Sequence, residues 1–312
     1  MKWQASTSGA ENRRQEPEPT PNIRLLANRI HRSTANQSST TTTAEVPVLK
    51  LAANLTFMFT EVPFLERLAL AREAGFRRVE FHNPYPFCED TATIAHAAEQ
   101  AGVRIIHCNL PGGDWQAGER GIAVLPDRED EFRRGVDSTI AIAQQLGIRQ
   151  LNCPLGYPTN KLEHQQYHPV LVGNLRYAAE ATARAGIMLL IEPLNPITHP
   201  GYPLINTRQA LELLTEVDHS NLKIQYDFYQ MQRSEGELIE TVRQYREHIG
   251  FIQLADNPGR HEPGTGEIHY PFLFRELERM RFDKVISLEY SPLTNTPDSL
   301  GWIAEYGLSL DT

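Results

Sequence analysis

Four short apolar runs in the second half of the chain each end at a side chain that offers an oxygen: Leu189-Leu190-Ile191-Glu192, Ile224-Gln225-Tyr226-Asp227, Phe251-Ile252-Gln253 and Ile286-Ser287-Leu288-Glu289. An ionised carboxylate at the end of an apolar segment is costly unless it is paired or binds a cation. A shared metal ion would remove that cost for all of them at once. Glu192, Asp227, Gln253 and Glu289 supply oxygen ligands only. That set suits a hard divalent ion, Mg²⁺ or Mn²⁺, tolerates Co²⁺, and disfavours a thiolate-type zinc site. The competing reading is that each carboxylate caps a helix N-terminus or pairs with an arginine. The recurrence of the pattern at four run ends favours the metal.

Such residues need a frame that brings distant run ends to one place. From Val48 onward, short apolar runs alternate with longer segments of helical periodicity, the pattern of a parallel βα architecture. The expected strands are Leu49 to Asn54, Arg78 to Phe81, Val103 to Asn109, Arg149 to Cys153, Ile187 to Glu192, Leu222 to Asp227, Gly250 to Ala255 and Lys284 to Glu289. Helical stretches run over Val62 to Ala74, Glu89 to Gln100, Glu129 to Leu146, Pro169 to Ala185, Thr207 to Val217 and Tyr270 to Met280, and a last one begins near Asp298. Several close on a glycine, Gly75, Gly102, Gly147 or Gly186, where a helix C-cap needs a residue that tolerates positive φ. Eight such units predict an α/β fold, a closed (β/α)₈ TIM barrel in one domain over residues 47–312. No Gly-rich dinucleotide loop follows Asn54, which argues against a doubly wound sheet. In a closed barrel the C-terminal strand ends share one face, so their polar residues read as functional.

Residues 1 to about 46 are rich in Ser, Thr, Glu, Gln, Pro and Arg, include the run Ser39 to Thr43, and are expected to form a disordered N-terminal extension. Within it, Ile23 to Ile30 has the pattern of a short basic amphipathic helix. Glu11, Glu16 and Glu18 spoil the acidic-poor signature of a transit peptide. The chain carries 30 Lys and Arg against 39 Asp and Glu, a formal charge of −9 that would repel a polyphosphate, so no nucleic-acid partner is expected. Cys88, Cys108 and Cys153 are too few and odd in number for a disulfide scaffold, and no apolar run spans a membrane. A reducing, cytoplasmic setting fits best, with no membrane association. A homo-oligomer is compatible with the sequence and not specified by it. The Asn-x-Ser/Thr matches at Asn36 and Asn54 are read as chance.

The motifs Asn54-Leu55-Thr56-Phe57-Met58-Phe59-Thr60-Glu61, His107-Cys108-Asn109-Leu110-Pro111-Gly112-Gly113-Asp114-Trp115, Gly118-Glu119-Arg120-Gly121, Ile191-Glu192-Pro193-Leu194-Asn195-Pro196, Gln225-Tyr226-Asp227-Phe228-Tyr229 and Gln253-Leu254-Ala255-Asp256-Asn257-Pro258-Gly259-Arg260 carry a resemblance. With Glu262-Pro263-Gly264-Thr265-Gly266-Glu267-Ile268, they make the chain resemble the hydroxypyruvate isomerase family of xylose-isomerase-like TIM barrels, which includes 2-oxo-tetronate isomerases. The resemblance covers nearly everything but the extension. It implies a metal held by Glu192, Asp227, Gln253 and Glu289, with Glu192 and Glu289 also the catalytic acid/base pair. Gln253 itself points to the hydroxypyruvate isomerase branch, since sugar-epimerase relatives usually place His there. The implied reaction interconverts hydroxypyruvate and tartronate semialdehyde, or a related 2-oxo-tetronate, through an enediolate. No organic cofactor is required, because the redox change is internal to the substrate.

Four further residues are candidate contacts for a small hydroxy-keto acid. Arg260, in a Pro-Gly loop after the seventh strand, offers a bidentate fork for a carboxylate. His107, at the end of the third strand, offers a hydrogen bond, although a buried structural role fits it equally well. Glu267 follows Gly264-Thr265-Gly266, a turn whose backbone N–H groups could face an anion. Gln230 stands where relatives usually have His, and His269 where they usually have Asn; Gln230 can donate a hydrogen bond but cannot carry a proton. A ketose 3-epimerase would use the same metal and glutamates. An endonuclease IV-like phosphodiesterase would need several metals, many His ligands and a basic groove.

Overall fold

The computed structural model of the chain describes residues 49–82, 90–158 and 162–310; the expected extension over residues 1–46, with its short helix, and Cys88 lie outside these. Eight strands, β1 (Lys50–Asn54), β2 (Arg78–Glu80), β3 (Arg104–Asn109), β4 (Gln150–Asn152), β5 (Met188–Ile191), β6 (Leu222–Asp227), β7 (Ile249–Leu254) and β8 (Val285–Leu288), pair in parallel and in chain order. β8 closes on β1 through Leu51 beside Ile286 and Ala53 beside Leu288. The expected barrel is therefore observed, strand for strand.

Among the described residues the α-helices are α1 (Phe64–Glu73), α2 (Thr91–Ala101), α3 (Glu129–Leu146), α4 (His164–Arg184), α5 (Thr207–Val217), α6 (Phe228–Gln232), α7 (Leu238–Tyr245), α8 (Tyr270–Arg279) and α9 (Gly301–Glu305). Each longer helix lays one apolar stripe on the barrel, as α8 does with Tyr270, Leu273, Phe274 and Leu277. Strands covered by helices outside and side chains inside read as near-continuous apolar runs, which is why they are legible in sequence. Gly102 and Gly147 end α2 and α3 at φ 71° and 70°, as their positions require.

Two departures are local. α4 begins at His164, ahead of the expected start at Pro169, so the proline sits inside the helix. The start is held by the backbone N–H of Glu163, which donates to Gln166 Oε1 at 2.9 Å. Between β6 and β7 the chain adds α6 and α7. α6 is too short and too evenly apolar to show a helical period, with Phe228, Tyr229, Gln230 and Met231 all buried.

Inside the barrel the period of two along a strand turns alternate residues inward. His107 on β3 stacks on Phe251 of β7 with ring centroids 4.8 Å apart, and Gln150 on β4 donates to the carbonyl of Gly250 at 3.0 Å. One step of two further along the same strands lie Asn109, Gln253 and Asn152. The layer toward the C-terminal ends is thus polar, while Cys108 and Cys153 point away into apolar packing. Burial pushes both thiols up to about 12, so they are unreactive. Asn54 is fully buried at the end of β1, which removes it as a glycosylation acceptor.

Candidate metal centre and active site

Glu192 directly follows β5, Asp227 ends β6 and Glu289 directly follows β8. Parallel closure brings one oxygen of each within 4.8 Å of the others. The competing roles are present as well: Asp227 Oδ1 accepts from the backbone N–H of Tyr229 at 2.8 Å and caps α6, and Glu289 Oε2 accepts from Arg260 Nη2 at 2.5 Å. These bonds do not use up the cluster, because Asp227 Oδ2 is buried without a hydrogen-bond partner. A buried carboxylate oxygen left unpartnered beside two other carboxylates fits a divalent cation.

The carboxyls titrate apart. Burial, then the charges of Glu289 and Asp227, raises Glu192 well above the usual carboxylate range. Asp227 is raised to about 7, first by burial and then by Glu289. At Glu289 burial also disfavours the charge, but Arg260 and His82 outweigh it and hold the group at about 2. Three carboxyls this close, two buried and one half-buried, do not all ionise without added positive charge.

Gln253 sits beside Asp227 in register on β7. Its Nε2 donates to Glu80 Oε1 at 2.9 Å and to Glu289 Oε1 at 3.3 Å, and its Oε1 accepts from Gln225 Nε2 at 2.7 Å. Glu80 sets this orientation, since a carboxylate only accepts and so must face the NH₂ end. The oxygen of Gln253 is left toward Gln225, whose Nε2 also donates to Glu192 Oε2 at 2.9 Å.

Above the carboxylates opens a cavity of about 210 Å³ whose lining includes Glu192, Glu289, Gln230, Arg260, His199 and Tyr202. It is smaller than the roughly 300 Å³ where drug-sized pockets begin, and so suits a small metabolite. Gln230 Oε1 accepts from both the backbone N–H and Nδ2 of Asn195, which leaves its NH₂ as the free end. Arg260 lies between the rings of Phe57 and Tyr229, 5.1 and 5.2 Å from their centroids, with Asp227 Oδ2 at 3.9 Å.

Two candidate contacts are placed elsewhere. His107 is fully buried below the cavity, with Nδ1 2.6 Å from Glu80 Oε2, so it supports the floor and does not face a ligand. Glu267 is exposed, outside the cavity lining, and accepts from Asn257 Nδ2. The backbone N–H groups of Gly264 and Gly266 do face an anion, but it is the protein's own. Both donate to Asp256 Oδ2 at 2.9 Å, while Asp256 Oδ1 accepts from the N–H of Asn257 and Ile268. Asp256 thus ties together the loop that carries Arg260, whose backbone is held at φ 57°. Asp256→Ala is expected to lower stability by about 3 kcal/mol, because it strands several buried donors, and to free Arg260. Thermal unfolding checks the first effect; an unchanged midpoint would show that the loop stands without Asp256.

Attention to the last four strand ends alone misses Asn54, Glu80, Asn109, Asn152 and His82. His82 Nε2 lies 2.5 Å from Glu289 Oε1, and Asn54 Nδ2 donates to Glu80 Oε1 at 3.0 Å. The same criterion applied to the first four strands, a polar residue closing an apolar run, finds Asn54 and Asn109; Glu80 and Asn152 stand inside Val79-Glu80-Phe81 and Leu151-Asn152-Cys153 and escape it.

Residues 68–306 match the family described as Xylose isomerase-like TIM barrel. A hydroxypyruvate isomerase of Escherichia coli K12 is 46% identical over 83% of this chain and 100% of its own length. A 2-oxo-tetronate isomerase of Pectobacterium atrosepticum is 38% identical over 81% of this chain and 96% of its own. Among solved structures, an AP endonuclease, family 2, from Brucella melitensis superposes with a TM-score of 0.79 at 40% identity, covering 83% of this chain and 99% of that one. With its barrel closed and its carboxylates converged, the chain belongs to the xylose isomerase-like TIM barrel family and, within it, to the hydroxypyruvate isomerase group of isomerases.

Proposed function

We propose that the protein interconverts hydroxypyruvate and tartronate semialdehyde, or the corresponding pair of a 2-oxo-tetronate, with a divalent cation, Mg²⁺ or Mn²⁺ and also Co²⁺, held by Glu192, Asp227, Gln253 and Glu289. The observation that carries this reading is the convergence of the buried Asp227 and Glu289 with the half-buried Glu192, Asp227 with an unpartnered oxygen, beneath a cavity sized for a small acid. When bound, the cation would supply positive charge beside the adjacent carbonyl and hydroxyl oxygens of the substrate, which acidifies the C–H between them.

The protein moves the protons. Glu192 and Glu289 reach the cavity from β5 and β8, separated round the barrel by β6 and β7, so they approach a bound substrate from different directions. One carboxylate takes the proton from C3 of hydroxypyruvate, and the resulting enediolate receives a proton at C2 from a carboxyl group. The hydroxyl proton passes from O3 to O2, so no electron leaves the substrate. The NH₂ of Gln230, whose Oε1 is taken by Asn195, donates to a substrate hydroxyl in this reading. His82 and Arg260 hold Glu289 ionised.

Two other chemistries share the barrel. A 3-keto-D-glucoside 4-epimerase of Escherichia coli, at 20% identity and a TM-score of 0.70, shares the fold, whereas the relatives at 46% and 38% identity are a hydroxypyruvate isomerase and a 2-oxo-tetronate isomerase. A DNA phosphodiesterase fits poorly: the metal-competent cluster among the described residues holds carboxylates only, and the chain carries −9. No described helix is long and apolar enough to cross a membrane. The test is NMR of the metal-loaded protein in D₂O with hydroxypyruvate and with 2-oxo-tetronates. Aldehyde product carrying solvent deuterium at the new C–H is expected. Absence of product from every acid tried, with metal bound, would sink the proposal.

A further inference from the structure

The proposed substrates are acids, so some cation must receive their carboxylate; the role assigned to that cation rests on the proposed reaction. Arg260 has the right chemistry but is engaged, with Nη2 at 2.5 Å from Glu289 and its face against Phe57 and Tyr229. A second guanidinium reaches the cavity from another loop. We infer that Arg120 receives the substrate carboxylate and is the residue that selects acids over neutral sugars at this metal centre.

Arg120 lines the cavity together with Trp115 and His199. Its Nη1 donates to the carbonyls of Glu119 at 2.7 Å and Trp115 at 3.3 Å, and its guanidinium lies 4.1 Å over the Trp115 ring. These contacts orient the fork without neutralising it. Among the described residues no carboxylate lies within ion-pair distance of Arg120. The adjacent Glu119 is taken by Arg128 and by the backbone N–H of Asp114. The loop is fixed at its far end by Gly121, at φ 123°, where a Cβ would collide with the Pro154 carbonyl oxygen, so only glycine fits. The N–H of Gly121 donates to the carbonyl of Gly112 at 2.7 Å and closes the loop. Arg120 therefore stands in a built position.

Charge balance points the same way. The three carboxyls that would hold a divalent cation are matched by that cation and Arg260, and the fourth, Glu80, lies 2.6 Å from His107 Nδ1. Arg120 adds one positive charge, and a monocarboxylate substrate cancels it. A neutral ketose in the same cavity would cover the guanidinium without pairing it, and would be disfavoured for that reason. His199 adds no second charge, since burial and the nearby Arg260 and Arg120 hold its imidazole below its usual range.

Glycerate and glycerol test this without turnover, because neither has a ketone or aldehyde to isomerise and they differ only in carboxylate against hydroxymethyl. Each is titrated calorimetrically into the Mn²⁺-loaded protein. Wild type should prefer glycerate. Arg120→Gln should weaken glycerate roughly 10- to 100-fold, as expected for a lost charge-assisted hydrogen bond, and leave glycerol unchanged. Arg120→Lys, a point charge without the fork, should retain part of the preference. The KM for hydroxypyruvate should rise in step while kcat changes less. Arg120→Gln binding glycerate as tightly as wild type, or a loss of the preference in Arg260→Gln alone, would overturn the inference. Should Arg120→Gln disturb the loop and lose glycerol too, Arg120→Lys decides: a kept preference for glycerate supports the inference and a lost one refutes it. A wild type that isomerises no acid refutes the reaction instead, and the glycerate titration reads separately from that.

Discussion

Glu192→Gln and Glu289→Gln should each lower turnover by roughly 10²-fold or more, the usual loss when a general acid or base is removed. Glutamine keeps an oxygen of similar size near the metal, so binding of Mn²⁺ should weaken far less than turnover falls. The two variants should not behave alike in other respects. Glu289 accepts from Arg260 at 2.5 Å and meets His82 at 2.5 Å, so Glu289→Gln also leaves the half-buried guanidinium of Arg260 short of its partner. Loss of one member of a largely desolvated pair is destabilising, so this variant should melt earlier than Glu192→Gln. Deuterium exchange adds a second readout. If one carboxylate deprotonates and the other reprotonates, a single variant can still wash deuterium into the substrate while making no product. Near-normal turnover of both variants with metal bound would show that the glutamates are ligands only.

Metal removal should be the other large effect, and it should depend on pH in a stated direction. Burial and then Glu289 raise Asp227 to about 7, and burial with Glu289 and Asp227 raises Glu192 as well. The metal-free protein therefore holds protons that the cation must displace. Below about pH 7 binding should release protons, and apparent affinity should fall about tenfold per pH unit for each proton displaced. The stability of the metal-free protein follows the same linkage. Between the ordinary Asp value of 3.8 and about 7 the folded state binds more protons than the unfolded chain, so the Asp227 contribution falls as pH rises through that window. Glu289 has the opposite sign: its stabilisation is present above the ordinary 4.5 and is lost as pH falls toward about 2. Chelation should thus lower the melting temperature more at pH 7.5 than at pH 5.5. Asp227→Asn, with one charge fewer, should flatten this dependence, bind Mn²⁺ more weakly and recover activity at high Mn²⁺. Equal chelator effects at the two pH values would contradict a proton-coupled carboxylate site.

Local pattern was enough for the barrel and for half of its floor. Strands covered on both sides are apolar along their length, helices carry one apolar stripe, and glycines mark where α2 and α3 stop; each is a property of a few neighbouring residues. Glu192, Asp227, Gln253 and Glu289 were legible because a polar oxygen at the end of an apolar run is conspicuous, and the resemblance named the same residues. What the other residues do depended on distant partners. Gln253 is turned by Glu80, 173 positions away, and Glu289 is met by His82, 207 positions away. His107 looks the same in sequence whether it faces a ligand or a buried carboxylate, and only closure of the barrel places it against Glu80 and Phe251. The Gly264 and Gly266 amides were recognisable as anion binders, but the anion proved to be Asp256, because the chain folds back on itself there. Arg260 and Arg120 are alike as residues. Their difference, one spent on Glu289 and the other without a carboxylate among the described residues, arises from which loop ends over which carboxylate, and tertiary structure alone decides that.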